Sequence, residues 1–393
     1  MIRAAGAFAA ALLLAGCGDG KPAGEADPAA AIVVTIGHAG PLTGSIAHQG
    51  KDDENGVALA IDQANAAGVR IGGRPVTFRM MSEDDQGDPK IGTLVAQKFV
   101  DARVPVVIGH LNSGVSIPAS EIYARAGIPM ITGSATAPEL TERGLANVYR
   151  VVGRDDQQGP AIAAYIAGPM GAKRVAIVDD KTAYGEGLAN EVEKSLRAAG
   201  VAIVGRERVS DKETDFKAVL TRIKQKKVDA IFHGGMDATG GPMMRQAREL
   251  GLVVPFAFGD GACTEEMEKL TGRAGEGLAC SQAGIPTSAA SPAFLAAFNA
   301  KYGPTKAYAP FFYDATRIAI EAMKRADSVD PARFGPRIRE VTLAGATGPI
   351  AFDAKGDRKD AEMTILSMRS GTIEPVAIYR DGRLSAMPAT PAR

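Results

Sequence analysis

The chain has 393 residues, 46% of them hydrophobic and 23% charged, with 45 basic residues set against 45 acidic ones. That length and apolar content suffice for one or two well-packed cores and exclude a disordered chain. Balanced charge leaves no field to attract nucleic acid or an anionic membrane surface, and no basic helix with interleaved aromatics is present, so nucleic acid is not an expected partner.

Arg3 precedes an apolar run over residues 4–16, too short to span a bilayer but suited to a secretory signal. The run ends in Leu14-Ala15-Gly16-Cys17, which is similar to the bacterial lipobox. That similarity implies cleavage of residues 1–16 and lipidation of Cys17; an ordinary signal peptide with Cys17 incidental is the alternative. Residues 17–31, rich in Gly, Ala and Pro, read as a flexible tether. The protein is therefore expected in the periplasm, with a lipid as its only membrane contact.

Strand-like apolar runs then alternate with helical patterns: a strand over 32–36, a helix over 52–66, a strand over 76–80 and a helix over 89–101. Short buried strands follow at 104–108 and 128–131, with helix starts at 117–126 and 138–142. After Val151 the pattern restarts, with helices over 158–166, 187–199, 215–226 and 240–250 and strands over 174–178, 201–206, 230–233 and 256–258. Helices over 292–301, 310–325 and 331–341 and strands over 350–352 and 372–379 complete the chain. Such alternation predicts an α/β fold with two parallel-sheet units, the tail finishing both if the chain crosses more than once.

The segment from Gly109 to Leu140 holds two strand-to-helix junctions, with Ser113 at the first and Ser134, Ala135 and Thr136 at the second. Unpaired N–H groups and the helix dipole make such positions attractive to a carboxylate, and in a parallel sheet both loops fall in the crevice where ligands lie. Ordinary helix capping by Ser and Thr is the alternative.

Cys263 and Cys280 form an even pair in an exported chain and are expected to be a disulfide, with two free thiols as the alternative. His38, His48, His110 and His233 show no ligand spacing, so no metal and no cofactor is expected. The acidic clusters 52–54, 83–85 and 155–156 read as helix-start or loop charges.

Gly109-His110-Leu111, Pro118-Ala119-Ser120, Ala135-Thr136-Ala137-Pro138-Glu139-Leu140, Asp156-Gln157-Gln158-Gly159-Pro160, Tyr184-Gly185-Glu186-Gly187 and Arg245-Gln246-Ala247-Arg248 occur in that order. With them the chain resembles the periplasmic leucine/isoleucine/valine-binding proteins of branched-chain amino acid ABC transporters over residues 32–379. The resemblance implies two Rossmann-like lobes joined by a three-segment hinge, the type I periplasmic binding or Venus-flytrap fold. Residues 32–152 with 284–361 would form one lobe, 153–283 with 362–385 the other, and 386–393 a tail. It further implies that the lobes close on an amino acid, that the closed monomer docks on permease subunits, and that no catalysis occurs.

Carried over by position, Ser113, Ser134 and Thr136 grip the ligand from the first lobe, and Tyr184, Met236 and Asp260 from the second. Ser113 and Thr136 would serve the carboxylate, and the Ser134 carbonyl, Thr136 hydroxyl and Asp260 carboxylate the ammonium. The sequence departs from the enteric members: Met236 replaces a tyrosine, Gln49 an aromatic, Asp260 a glutamate and Asn112 a cysteine. Leu111, Met236 and Tyr308 still suit an apolar side chain, whereas Gln49 and Asn112 leave a polar amino acid or amide open. Coupling to a membrane sensor, or an exported α/β enzyme, are the other readings. The enzyme lacks a GxSxG, a Walker A or a GxGxxG opening a helix.

Overall fold

A computed structural model describes residues 31–387. The expected leader, Cys17, the tether up to residue 30 and the tail from residue 388 lie outside the described residues.

The first sheet is built from β1 (Ile32–Gly40), β2 (Arg70–Ile71), β3 (Arg74–Asp84), β4 (Val107–Gly109), β5 (Met130–Thr132) and β6 (Val148–Arg150) in the order β2-β3-β1-β4-β5-β6. All its pairings are parallel except β2 with β3. The second contains β7 (Arg174–Asp179), β8 (Ala202–Arg208), β9 (Ala230–Gly234), β10 (Phe256–Phe258) and β11 (Ala279–Gln282). A two-stranded ribbon, β12 (Leu343–Gly345) with β13 (Gly348–Ile350), precedes the strands that finish it: β14 (Met363–Arg369), β15 (Thr372–Arg380) and β16 (Arg383–Ala386). The order is β16-β15-β14-β11-β10-β9-β7-β8, parallel from β8 to β11 and antiparallel beyond. Parallel strands are covered on both faces, which is why Val175 to Val178 are wholly buried without alternation.

The helices are α1 (Ala47–Ala66), α2 (Pro89–Asp101), α3 (Ser113–Ala126), α4 (Glu139–Glu142), α5 (Asp155–Ala167), α6 (Ala183–Ala198), α7 (Lys217–Gln225), α8 (Asp237–Glu249), α9 (Glu265–Thr271), α10 (Pro292–Tyr302), α11 (Ala309–Ala326) and α12 (Pro331–Phe334). Their ends follow local chemistry. Asp88 caps α2 by accepting from the N–H groups of Lys90 and Ile91, with Pro89 at the first helical position, and α3 stops at Gly127 in the left-handed conformation. Helix α1 packs on α11 so closely that a Cβ on Gly56 would lie 2.3 Å from the Ala309 carbonyl oxygen. The chain leaves the first sheet after β6, returns after β11 to supply α10 and α11, and goes over again between β13 and β14. Among the described residues no helix is long and apolar enough to cross a membrane.

Several expected elements differ. The helix over 331–341 is one α-turn followed by a 3-10 segment, Gly335–Glu340, because Pro336 has no N–H to continue the ladder. The strand over 350–352 stops pairing at Ile350, and Phe352 makes only an isolated bridge to Arg358. Strands β4 and β5 begin later than expected, after Pro105 and Pro129, neither of which can donate to a ladder. Strands β6, β11, β14 and β16 carry no pattern that separated them from their surroundings.

Candidate functional site

The loops after β4 and β5 of the first sheet and after β7, β9 and β10 of the second converge on one cavity, at the carboxyl ends of the strands. Leu111, Asn112, Ser113 and Ser134 line it from one side and Tyr184, Met236, Asp260 and Gly261 from the other. Tyr308, the residue before α11, completes the lining. Ala135 and Thr136 lie behind Ser134, buried. Gln49 is not on the lining: its amide donates to Asp237 Oδ2 and to the Gly261 carbonyl, each at 3.2 Å.

On the first-sheet side the two junctions are stitched together. Ser113 Oγ accepts from the Ala137 N–H at 3.1 Å, and Ser134 Oγ donates to the Leu111 carbonyl at 2.9 Å. The N–H groups of Ser134 and Ala135 both donate to Thr132 Oγ1. The Thr136 hydroxyl is fully buried and completes no hydrogen bond. Helix α4 behind it is a single turn, so its dipole is small, and the donor at this junction is the hydroxyl rather than a helix terminus. Helix α3, with Ser113 as its first residue and no side-chain cap from Asn112, is long enough to supply a favourable field for an anion.

Asp260 begins a short 3-10 turn after β10 and is 2% exposed. Its Oδ1 accepts from the Tyr184 hydroxyl at 2.8 Å and from Gln158 Nε2 at 3.0 Å, and its Oδ2 from the Tyr308 hydroxyl at 2.9 Å. Glycines make this contact possible. A Cβ on Gly259 would stand 2.4 Å from Tyr184 Oη, and one on Gly261 would stand 2.6 Å from Met236 Sδ. The Cys263–Cys280 disulfide, with Cα atoms 5.4 Å apart, ties the far side of the turn to β11.

A second carboxylate lies beside the first. Asp155, the first residue of α5, is wholly buried and accepts from Gln158 Nε2 at 3.0 Å, while its Oδ2 makes no hydrogen bond. Burial, and then the charge of Asp260, push its pKa up to about 8, against the opposing pull of the Thr136 hydroxyl and the Gln158 amide. Burial likewise raises Asp260, although the Tyr184, Gln158 and Tyr308 hydrogen bonds oppose it. Burial and the Asp260 charge hold both tyrosines well above the ordinary phenol range, so they remain donors. No cation among the described residues hydrogen-bonds either carboxylate.

Sequence reasoning passed over Asp155, Gln158 and Asp237. Asp155 reads in the sequence as one of the helix-start or loop charges, and Gln158 only as a helix start and part of a family motif. The available signal was their spacing, since residues three apart at a helix start share one face. The pair Asp85 and His110, which with Tyr123 forms a linear hydrogen-bonded set at 2.7 and 2.9 Å, has the outline of a catalytic relay. All three side chains are wholly buried, so no substrate reaches them. Among the described residues no group of His, Cys, Asp and Glu could hold a metal ion.

Residues 33–372 match the family model of periplasmic binding proteins. The chain is 34% identical over 338 residues to the leucine-, isoleucine-, valine-, threonine- and alanine-binding protein of Pseudomonas aeruginosa, covering 86% of this chain and 90% of that protein. Among solved structures it is similar to a leucine-binding protein LivK from Thermotoga maritima, with a TM-score of 0.82, 28% identity and coverage of 88% of this chain and 99% of that one. A branched-chain amino acid transporter substrate-binding protein LivJ from Streptococcus pneumoniae, in complex with isoleucine, matches with a TM-score of 0.79, again at 28% identity and 88% and 99% coverage.

Proposed function

This chain belongs to the periplasmic binding protein family and has the type I fold of two α/β lobes, and from that membership we propose how it works. It is an extracytoplasmic substrate-binding protein of an ABC importer and not an enzyme. Its ligand is a free amino acid, branched-chain or otherwise apolar, held between the lobes formed by residues 32–152 with 284–361 and 153–283 with 362–385. The closed monomer delivers that ligand to the permease, and Cys17 carries the lipid that keeps the protein at the membrane.

The pair of buried carboxylates, Asp155 and Asp260, supports this reading most strongly. Burying a carboxylate without a counter-charge is costly, and a ligand ammonium beside the pair supplies that charge. The Thr136 hydroxyl and the first turn of α3 are then left for the ligand carboxylate, so the site selects a zwitterion. Leu111, Met236 and the faces of Tyr184 and Tyr308 receive the side chain. One methylene there changes affinity by only ~1 to 3 kcal/mol, so leucine, isoleucine and valine are poorly separated. Ligand selects the closed state by binding it better than the open one.

A polar ligand is the second reading, favoured by Asn112 and Ser134 in the lining and by the threonine in the name of the Pseudomonas relative. Thermal unfolding of protein refolded free of ligand, against a panel of amino acids, amides and small carboxylates, separates the two. Ligand at 100 times its dissociation constant stabilises by ~2.7 kcal/mol. Shifts with leucine, isoleucine and valine support the first reading, and shifts with threonine or amides alone replace it with the second. No shift across the panel overturns both.

A further inference from the structure

Outside the cavity, a second set of polar residues crosses between the lobes. His48 and Gln49 lie in the first turn of α1, which packs with the first sheet, whereas Asp237 opens α8 and Thr264 caps α9 in the second unit. The side chains of His48, Gln49 and Thr264 converge on one atom, Asp237 Oδ2. It accepts from His48 Nε2 at 2.8 Å, from Gln49 Nε2 at 3.2 Å and from the Thr264 hydroxyl at 2.5 Å. Gln49 Nε2 reaches a second acceptor of the opposite lobe, the Gly261 carbonyl, at 3.2 Å.

We propose that His48, Gln49, Asp237 and Thr264 form an inter-lobe clasp that sets how long the closed protein holds its ligand. Asp237 is its anchor, a positioning residue rather than a ligand contact. None of the four lines the cavity, yet Asp237 directly follows the lining residue Met236, and Gly261, whose carbonyl Gln49 reaches, is itself on the lining. Asp237 is wholly buried, and two of its three partners come from the other lobe. A buried carboxylate depends on such partners. Opening strips both away, leaving Thr264 and the α8 amino terminus, and lets water reach the carboxylate. The clasp therefore contributes to the closed state and not to the open state that first meets the ligand. Interactions of that kind slow dissociation and leave the encounter rate unchanged.

The inference rests on the proposed amino-acid cleft, so its test carries a ligand-free arm. Stopped-flow measurement of L-leucine binding to the full mature protein compares wild type with His48→Ala, Gln49→Ala and the conservative His48→Gln. The clasp predicts a dissociation rate raised about tenfold in His48→Ala and Gln49→Ala, with the association rate held within about twofold, and partial recovery in His48→Gln, whose amide can still donate. Adding His48→Ala to Asp237→Asn should add little, because the two act on one contact. In the ligand-free arm, small-angle scattering should give a larger radius of gyration for His48→Ala than for wild type. Leucine dissociation rates equal to wild type, with superimposable ligand-free scattering, overturn the clasp. If wild type fails to bind leucine but scattering still separates the variant, the clasp stands and the ligand assignment falls. If wild type fails to bind leucine and the scattering curves superimpose, both fall.

Discussion

Asp155 and Asp260 share a single donor: Gln158 Nε2 lies 3.0 Å from Oδ1 of each. A neutral amide thus holds two buried carboxyl groups together, and the other face of Gln158 is fixed by the Asp260 N–H at 3.1 Å and by Ser281. The amide is oriented by these contacts and cannot supply positive charge. A ligand ammonium can, and the proposed preference for a zwitterion rests on that difference.

Asp260→Asn tests this directly. The substitution keeps an acceptor for Tyr184 and Gln158 while removing the charge. Affinity for the preferred amino acid should fall by roughly 3 to 5 kcal/mol, the scale for leaving a buried charge unpaired, with the fold intact. Calorimetry and far-UV dichroism of the same sample measure both. Unchanged affinity removes Asp260 from the ammonium site.

Binding near neutral pH should also release a proton. With its pKa near 8, Asp155 keeps its proton at pH 7 in the ligand-free protein, and an incoming ammonium favours the ionised form. Calorimetric titrations in two buffers of different ionisation enthalpy should report a release of up to about one proton per ligand. The sign for stability follows from the raised value. Asp155's contribution is fully present below the unfolded carboxyl pKa of 3.8 and is lost as pH rises through about 8. Ligand-free protein should accordingly lose stability over that window, and ligand should reduce the loss. Identical uncorrected binding heats in the two buffers would show that binding moves no proton and would overturn this prediction.

Much of the cavity lining is legible in the sequence because its polar residues stand at strand-to-helix junctions, where the residues themselves mark the position. Ser113, Ser134, Tyr184 and Asp260 all fall on the cavity lining, and Pro89 with Asp88 fixed the start of α2. What escaped was set by tertiary pairing. The tetrapeptide of β11, Ala279–Gln282, reads as a strand only when β10 and β14 flank it. Gln49 looked like a ligand contact by position, but Asp237, 188 residues away, draws its amide across the cleft. Asp155 looked like an ordinary helix-start charge because its burial depends on loops from both halves of the chain.

Thr136→Val should separate stability from function. The Thr136 hydroxyl is buried and completes no hydrogen bond, so replacing it with a methyl costs the fold only its pull on the Asp155 carboxyl. Unfolding by urea should show stability held within about 1 kcal/mol, while amino-acid affinity drops by roughly 1.5 to 3 kcal/mol for a lost hydrogen bond to a charged group. A variant that unfolds readily would mark Thr136 as structural and leave the ligand carboxylate to α3 alone.

The loop that carries Ala135 and Thr136 is itself held from behind by a buried guanidinium. Arg150, wholly buried at the end of β6, donates through one nitrogen to the carbonyls of Ala135 and Ala137 at 3.0 and 2.9 Å and through Nε to Asp357 at 2.5 Å. Asp357 also accepts from Arg154 at 2.8 Å. Burial pushes the Asp357 carboxyl up, but the Arg150 charge and the hydrogen bonds from Arg154, Arg150 and Thr141 outweigh it and hold the pKa below the ordinary 3.8. A depressed carboxylate contributes stability that is present above the unfolded value and lost as pH falls through the folded one. Asp357→Asn should therefore cost about 3 to 5 kcal/mol at pH 7, by leaving Arg150 buried without its counter-charge. It should also flatten the loss of stability that wild type shows below pH 3.8. Because the guanidinium positions the Thr136 loop, amino-acid affinity should weaken as well, although Asp357 is absent from the cavity lining. Urea unfolding at pH 7 and pH 3, with calorimetry at pH 7, measures all three effects. A stable variant with normal affinity would show that the Ala135 and Ala137 carbonyls hold the loop without help from the ion pair.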